Sequence, residues 1–310
     1  MSFSKTIFAI VNPHAAHGRA GRLWPRILRR LQNRRARVVA RLTKRRWHAF
    51  HLTRDALHRG AHLIVSVGGE GTLNEVVNGV LQHQRSYLPE LAMIPIGTGT
   101  DLSRTLRIPK EQTSVVDMLE SGKTRCVDVG KIIFRNRHHE WQRFFVNACD
   151  AGLGGSVVSI ANSALKHLGG FSTFLVSSLA ALATYKPAHM DIWVDGVCVD
   201  SGGMTIVGAL NGQFFGGGMH AAPMAEVDDG VLECIYVKNT NIFKFVSNVL
   251  AKVYTGEHLR YRNVCHCPGR ELRIVCDKAF RVDVDGEQEK AQELVITLMP
   301  RALRMRVPRE

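Results

Sequence analysis

Acidic side chains are missing from the first 54 residues, which nevertheless carry fourteen lysines and arginines. Residues 55–310 hold 27 of each sign, so the whole formal excess of +14 lies in the acid-free stretch, mostly between Arg19 and Arg46. A patch of one sign attracts an anionic partner, whether nucleic acid, a membrane surface or nucleotide phosphates. Its plainer reading is a solvated helix face. The patch lacks the interleaved aromatics that base stacking needs, which disfavours nucleic acid. Long apolar runs are also missing. The longest weakly polar run, FSTFLVSSLAALA from Phe171 to Ala183, has 13 residues. A bilayer-spanning helix needs about 20, so a core helix is expected there. The Arg-rich start has the composition of a transit peptide, but KTIFAIVNP (Lys5–Pro13) reads as a strand entering a turn. That apolar run is too short for a secretory signal. Seven cysteines, an odd number without framework spacing, fit reduced thiols and a cytoplasmic location. Cys265-His266-Cys267 lies in an alternating segment and has no second pair, so no metal is expected there.

Familiar nucleotide signatures are absent too. There is no GxxxxGK[ST] loop and no kinase HRD or DFG triplet, and DAGLGGSVV (Asp150–Val158) lacks the third glycine of a dinucleotide fingerprint. What the chain does contain is a rhythm. Strands at Lys5–Val11, Ala36–Leu42, Ala61–Val67 and Leu91–Ile94 alternate with helices at Ala20–Asn33, Trp47–Arg59, Thr72–Leu81 and Thr113–Ser121. This predicts a doubly wound parallel α/β domain over residues 1–124. Thereafter short strands dominate, among them Phe144–Cys149, Glu271–Val275 and Arg281–Val284, and a mostly antiparallel, sandwich-like β domain is expected over 125–298. Helices are expected only within Gly155–Ala183 and at Asn241–Val253. The tail, 299–310, is free to return to the first domain.

Ligands of doubly wound sheets sit beyond the carboxyl ends of the strands. Three turns fall there: NPHAAHG (Asn12–Gly18), GGEGT (Gly68–Thr72) and PIGTGTD (Pro95–Asp101). Glycine lets a ligand approach the backbone, and a helix N-terminus points N–H groups and a positive dipole end at one spot, which suits phosphate. In the second domain MAEVDDGVLE (Met224–Glu233) places Asp228 and Asp229 in a turn before a strand. In RVDVDGEQE a period of 2 puts Arg281, Asp283, Asp285 and Glu287 on one strand face. Three carboxylates so aligned need a cation, a donor or a shared proton. A solvated edge strand ending in a DG turn is the plain reading, and a general base beside a magnesium site is the functional one.

These motifs, in this order and with NGQFFGGGM (Asn211–Met219) between them, resemble the diacylglycerol kinase catalytic-domain family. That family includes soluble bacterial lipid kinases and the sphingosine and ceramide kinases. The resemblance runs from about Ile10 to Glu287 and implies a fold like that of NAD kinases and phosphofructokinases. It implies ATP as co-substrate, Mg2+ as cofactor, and transfer of the γ-phosphoryl group to a lipid hydroxyl. The nucleotide would meet Asn12, Pro13, His14, Ala15 and Ala16, then Thr43. It would also meet Gly68, Gly69, Glu70, Gly71, Thr72, Leu73 and Asn74, with Thr98 and Glu287. Glu226, Asp229 and Val231 match the magnesium positions, the first and last through backbone carbonyls, and Asp285 matches the general base. The partners implied are a membrane lipid substrate and an anionic membrane surface held peripherally, without nucleic acid, and a homodimer is compatible with the family. An NAD kinase-like enzyme and a binding protein without turnover are the alternatives.

The chain departs from the family at three places: Ala16 replaces a glycine, Glu70 an aspartate and Thr100 an asparagine. Glu70 is expected to act by its charge, so that Glu70→Asp keeps activity and Glu70→Gln loses it.

Overall fold

The computed structural model describes residues 6–83, 87–97, 99–153, 187–240 and 244–309. It divides into two compact units, one of residues up to Val127 plus those from Arg301, the other of Asp128–Pro300. The helix expected within Gly155–Ala183, the apolar run Phe171–Ala183 and Thr98 lie outside the described residues.

The first unit is the expected doubly wound parallel domain. Its strands are β1 (Ile7–Val11), β2 (Val38–Leu42), β3 (Leu63–Gly68) and β4 (Glu90–Pro95), in the spatial order β4-β3-β1-β2 and all parallel. Every residue of β3 and β4 is buried, as continuous apolar runs require of strands covered on both faces. Helix α1 (Arg19–Asn33) buries Ala20, Trp24, Ile27 and Leu31 along one face. Helices α2 (His48–His58) and α3 (Glu70–Leu81) pack closely at Gly79, where a Cβ would come within 2.8 Å of the Thr53 Cβ. The short α4 (Asp101–Thr105) and then α5 (Gln112–Ser121) complete the unit. Five residues are too few for a periodic signal, so α4 was not foreseen. The chain's last strand returns here: Arg304 and Met305 pair in parallel with Glu90 and Leu91. Arg306 clamps the buried Glu90 carboxylate at 2.8 and 2.9 Å, and Thr124 donates to the same group.

The second unit is antiparallel. After β5 (Lys123–Arg135), β6 (Glu140–Phe145) and β7 (Ala148–Gly152) come β8 (Ala188–Val194), β9 (Val197–Leu210) and β10 (Leu232–Lys238). The last are β11 (Val264–Gly269), β12 (Glu271–Val284) and β13 (Glu287–Val307). β7 and β8 both pair with β9 on one side and β12 on the other. The core between them holds Phe134, Phe145, Met190, Ile192, Val207 and Leu294.

Several expected boundaries shift for identifiable reasons. The single strand expected at Phe144–Cys149 is two, because the amides of Val146 and Asn147 leave the ladder for the Asp285 carboxylate. The segments Glu271–Val275 and Arg281–Val284 are one strand, interrupted by a register shift between Val275 and Phe280. From Lys244 onward the helix expected at Asn241–Val253 is a π-helical turn, Phe245–Leu250, followed by two 3₁₀ turns separated at Gly256 (φ 77°). His266 pairs with Glu233 at 2.5 Å, while Cys265 and Cys267 stand opposite Tyr236 and Cys234 on the other sheet face. The alternation that made this segment a strand therefore points its cysteines and histidine apart.

Candidate active site

In the first unit the site begins at the switch point of the sheet. The chain runs from β1 to β2 on one side, then places β3 and β4 on the other. The turns after β1 and β3 therefore open beside each other. Asn12 Nδ2 donates to Thr72 Oγ1 at 3.1 Å across this point, and Asn12 Oδ1 accepts the His14 amide. Gly68 is required by that contact, since a Cβ there would come within 2.7 Å of Thr72 Oγ1. Gly97 serves the next pair of turns: its Cβ would stand 2.8 Å from the Gly69 Cα. Neither Gly68 nor Gly69 has a positive φ, so their smallness serves turn-to-turn approach rather than a left-handed backbone. Ala16 and His17 do adopt left-handed conformations, at φ 49° and 55°. A side chain there costs roughly 1–2 kcal/mol per residue, so the family's glycine would relieve strain at Ala16.

No side chain caps α3 at Gly69, whose first residue is Glu70. The Glu70 carboxylate reaches instead to the next turn and accepts the amides of Asp101 and Leu102 at 2.7 and 3.0 Å. It therefore caps α4. Gly71 falls within the first turn of α3. Thr72, Leu73 and Asn74 are buried, and Asn74 Oδ1 accepts from Asn78 Nδ2 at 3.1 Å. Pro13, Ala15 and Ala16 are half-buried and His14 is exposed. Thr43, buried at the end of β2, donates its amide to Val11. Beside it, the Lys44 amide donates to His48 Nδ1, and burial together with Arg45 and Lys44 lowers the His48 pKa. Glu75, which sequence reasoning missed, is buried and accepts the amides of Trp47 and Ala49 at 2.8 and 2.9 Å, fixing the start of α2.

The second unit holds the remaining candidates. Asp285 and Gly286 have φ values of 48° and 87° and form the two-residue turn between β12 and β13, with Val284 paired to Glu287. Asp-Gly suits such a turn, where both central residues are left-handed. The common strand face expected for Asp283, Asp285 and Glu287 is thereby broken. Asp283 stays in β12, buried opposite Asp150 of β7, while Glu287 opens β13 opposite Val284. Burial pushes the neighbouring Cys149 thiol up, and the charges of Asp150, Asp283 and Asp285 add to it. The Asp285 carboxylate is buried and accepts three backbone amides: Val146 at 3.0 Å, Asn147 at 3.1 Å and Ala148 at 3.0 Å.

This anchor is connected to the acidic loop. Asn211, fully buried, donates through Nδ2 to the carbonyls of Val146 and Asp128 at 2.7 and 3.0 Å. Asp128, also fully buried, accepts the Gly230 amide at 2.7 Å and donates its own amide to Val227. Asp229 accepts the Val231 amide at 2.9 Å. Glu226 and Asp229 are exposed and Val231 is half-buried, and among the described residues no three His, Cys, Asp or Glu side chains cluster to hold a metal. Asp128 was missed because a lone aspartate within a strand carries no spacing signal. Its hydrophobic flanks, Val127 and Val129, were the one available clue to burial.

Residues 6–132 match the diacylglycerol kinase catalytic domain, and residues 145–307 match the YegS C-terminal NAD kinase beta sandwich-like domain. These matches define a kinase, a phosphotransferase with an alcohol acceptor. The chain belongs to the diacylglycerol kinase catalytic-domain family and is a lipid kinase. A diacylglycerol kinase of Staphylococcus haemolyticus is 27% identical over 278 residues, 90% of this chain and 81% of that one. One from Bacillus subtilis is 26% identical over 240 residues, covering 77% and 75%. A crystal structure of a diacylglycerol kinase from Bacillus anthracis has a TM-score of 0.71 at 23% identity, covering 98% of this chain and 97% of that one. Yeast NADH kinase complexed with NADH has a TM-score of 0.56 at 10% identity, covering 99% and 84%. The two structural likenesses concern the fold. Among the described residues no helix is long and apolar enough to cross a membrane.

Proposed function

We propose that the chain transfers the γ-phosphoryl group of ATP to a hydroxyl of a diacylglycerol-like lipid, with Mg2+ as cofactor, at the cytoplasmic face of a membrane. The observation that carries this reading is the Asn12–Thr72 hydrogen bond with the Gly69–Gly97 approach. Together they gather three turn backbones at the carboxyl ends of parallel strands, the arrangement that suits phosphates. The names of the curated relatives support diacylglycerol as the acceptor.

In this reading the turn amides orient the phosphates. The lipid oxygen bonds to the γ-phosphorus, its proton passes to the Asp285 carboxylate, and ADP leaves. Phosphoryl transfer demands positioning more than basicity, because its transition state is loose. Hydrogen bonds from three backbone amides hold Asp285 in one orientation, which meets that demand. The loop Glu226–Val231 suits Mg2+ by donor chemistry: the exposed Asp229 carboxylate beside main-chain carbonyls offers hard oxygens and room for retained waters. Asp229 and the carbonyls of Glu226 and Val231 would hold the ion, which neutralises phosphate charge when bound.

Labelled ATP offered with diacylglycerol, ceramide, NAD or no acceptor tests the reading. Label in chloroform-extractable lipid, greatest with diacylglycerol, is expected. Label on NAD alone would make the chain an NAD kinase. Label on neither, with ATP still bound, would make it a binding protein.

A further inference from the structure

Helix α1 presents a stripe of arginine to solvent. Arg19, Arg22, Arg26, Arg29 and Arg30 are all exposed. At the helical repeat they fall within an arc of about 100°, along roughly 16 Å of axis. The core residues Ala20, Trp24, Ile27 and Leu31 lie on the other side. Helix α1 contains no acidic residue at all. Arg26, Arg29 and Arg30 also line an open groove of about 650 Å³ with Lys110, Glu111 and Gln112.

This arrangement is costly for a merely solvated face. Arg22–Arg26, Arg26–Arg29 and Arg26–Arg30 are like-charge neighbours at i+3 or i+4, which destabilise a helix. Arg19 stands at the positive end of the helix dipole, where a cation is also unfavourable. Local acids do not relieve the stripe. Asp117 and Glu120 pair with Arg34, off the stripe, at 2.6 Å each. Glu111 accepts instead from the amide and hydroxyl of Ser114. Arg30 donates to Thr113 and Arg22 to the His17 carbonyl, but the side chains of Arg19, Arg26 and Arg29 have no hydrogen bond or ion pair among the described residues.

We propose that the outer half of this stripe, Arg26, Arg29 and Arg30 with Lys110, is a docking surface for an anionic lipid bilayer. A straight row of guanidinium groups on one helix face matches a planar anionic surface, which several headgroups can contact at once. The row carries no aromatic side chain for stacking bases, which separates it from a nucleic-acid groove. Docking goes beyond phosphoryl transfer and is read without ATP.

The test is co-sedimentation of the whole chain with phosphatidylcholine vesicles, with and without phosphatidylglycerol, across ionic strength. Wild type should bind only the anionic vesicles and should release as salt rises. The triple variant Arg26→Glu, Arg29→Glu, Lys110→Glu should lose about a hundredfold or more in partitioning. The control triple Arg262→Glu, Lys278→Glu, Lys290→Glu changes net charge equally on exposed residues of the other unit and should lose less than about threefold. Turnover on diacylglycerol in detergent micelles should be unchanged in the first triple, which separates docking from transfer. Equal losses in the two triples, or equal binding to neutral vesicles, would overturn the proposal. So would a micellar activity that falls with vesicle binding.

Discussion

The Glu70 carboxylate accepts the amide hydrogens of Asp101 at 2.7 Å and Leu102 at 3.0 Å, so the acid of one glycine turn caps the helix that leaves the next. Those first-turn amides have no partner within their own helix. The contact depends on reach more than on charge. Glu70→Asp shortens the arm by about 1.5 Å and breaks both bonds. Glu70→Gln keeps an acceptor oxygen at the right length. We therefore expect kcat/KM for ATP to fall roughly tenfold in Glu70→Asp and about threefold in Glu70→Gln. This reverses the order expected from the sequence. The opposite ranking would return Glu70 to a purely electrostatic role.

Gly97→Ala tests the approach of the second and third turns. A Cβ there would lie 2.8 Å from the Gly69 Cα and 2.9 Å from the Gly99 carbonyl oxygen, both backbone atoms that cannot rotate away. The turns must separate, and KM for ATP should rise about tenfold or more while unfolding stability changes little. An unchanged KM would mean that this contact does not shape the nucleotide site.

Asp128→Ala tests the acidic loop. It strips the Gly230 amide of its buried acceptor, a loss of about 1–3 kcal/mol that loosens the turn carrying Asp229. The Mg2+ concentration for half-maximal rate should rise several-fold, with ATP affinity unchanged at saturating metal. Asp128→Asn, which retains an acceptor oxygen, should recover part of the loss. A Mg2+ requirement identical in all three proteins would remove the loop from the metal site.

His258 is expected to make the second unit acid-sensitive. Burial lowers its pKa, the Ala221 carbonyl opposes that at 3.1 Å, and His220 lowers it further. The unfolded chain then binds a proton that the folded chain resists. Stability is fully present above the unfolded value of about 6.5 and is lost as pH falls through it towards the folded pKa. His258→Gln preserves a donor to Ala221 without titrating. Its urea midpoint should drop less than that of wild type between about pH 7.5 and pH 5.5. Equal drops would assign the acid sensitivity elsewhere.

The parallel domain was legible because β1 to β4 are bounded runs and their helices keep a clean period. The glycine turns were legible as a set, since Asn12, Gly69 and Gly97 all follow strands that end at the same edge. Their detailed reason was not. The clash of a Gly97 Cβ with Gly69 is a contact between turns 28 residues apart, and nothing local records it. The strand face of Asp283, Asp285 and Glu287 failed for a related reason. Period 2 holds only while the strand continues, and the Asp285-Gly286 pair ends it. That dipeptide was itself the available signal for a hairpin. Asp128, Asn211 and Glu75 were illegible as site supports because each binds backbone amides or carbonyls, which carry no sequence identity.

Asp285 bears the central claim, that a carboxylate fixed by the amides of Val146, Asn147 and Ala148 takes the proton of the lipid hydroxyl. Its substitution is not structurally silent. An asparagine would turn an NH2 group towards backbone donors and leave at least one buried amide unsatisfied, at about 1–3 kcal/mol. The decisive measurement is phosphatidic acid formed from ATP and diacylglycerol by Asp285→Asn. It should be run below the variant's unfolding midpoint, with the ATP dissociation constant measured on the same sample. We expect the rate to fall about 10²–10⁴-fold while ATP affinity stays within about threefold. A folded variant that binds ATP and forms phosphatidic acid at the wild-type rate would contradict the account.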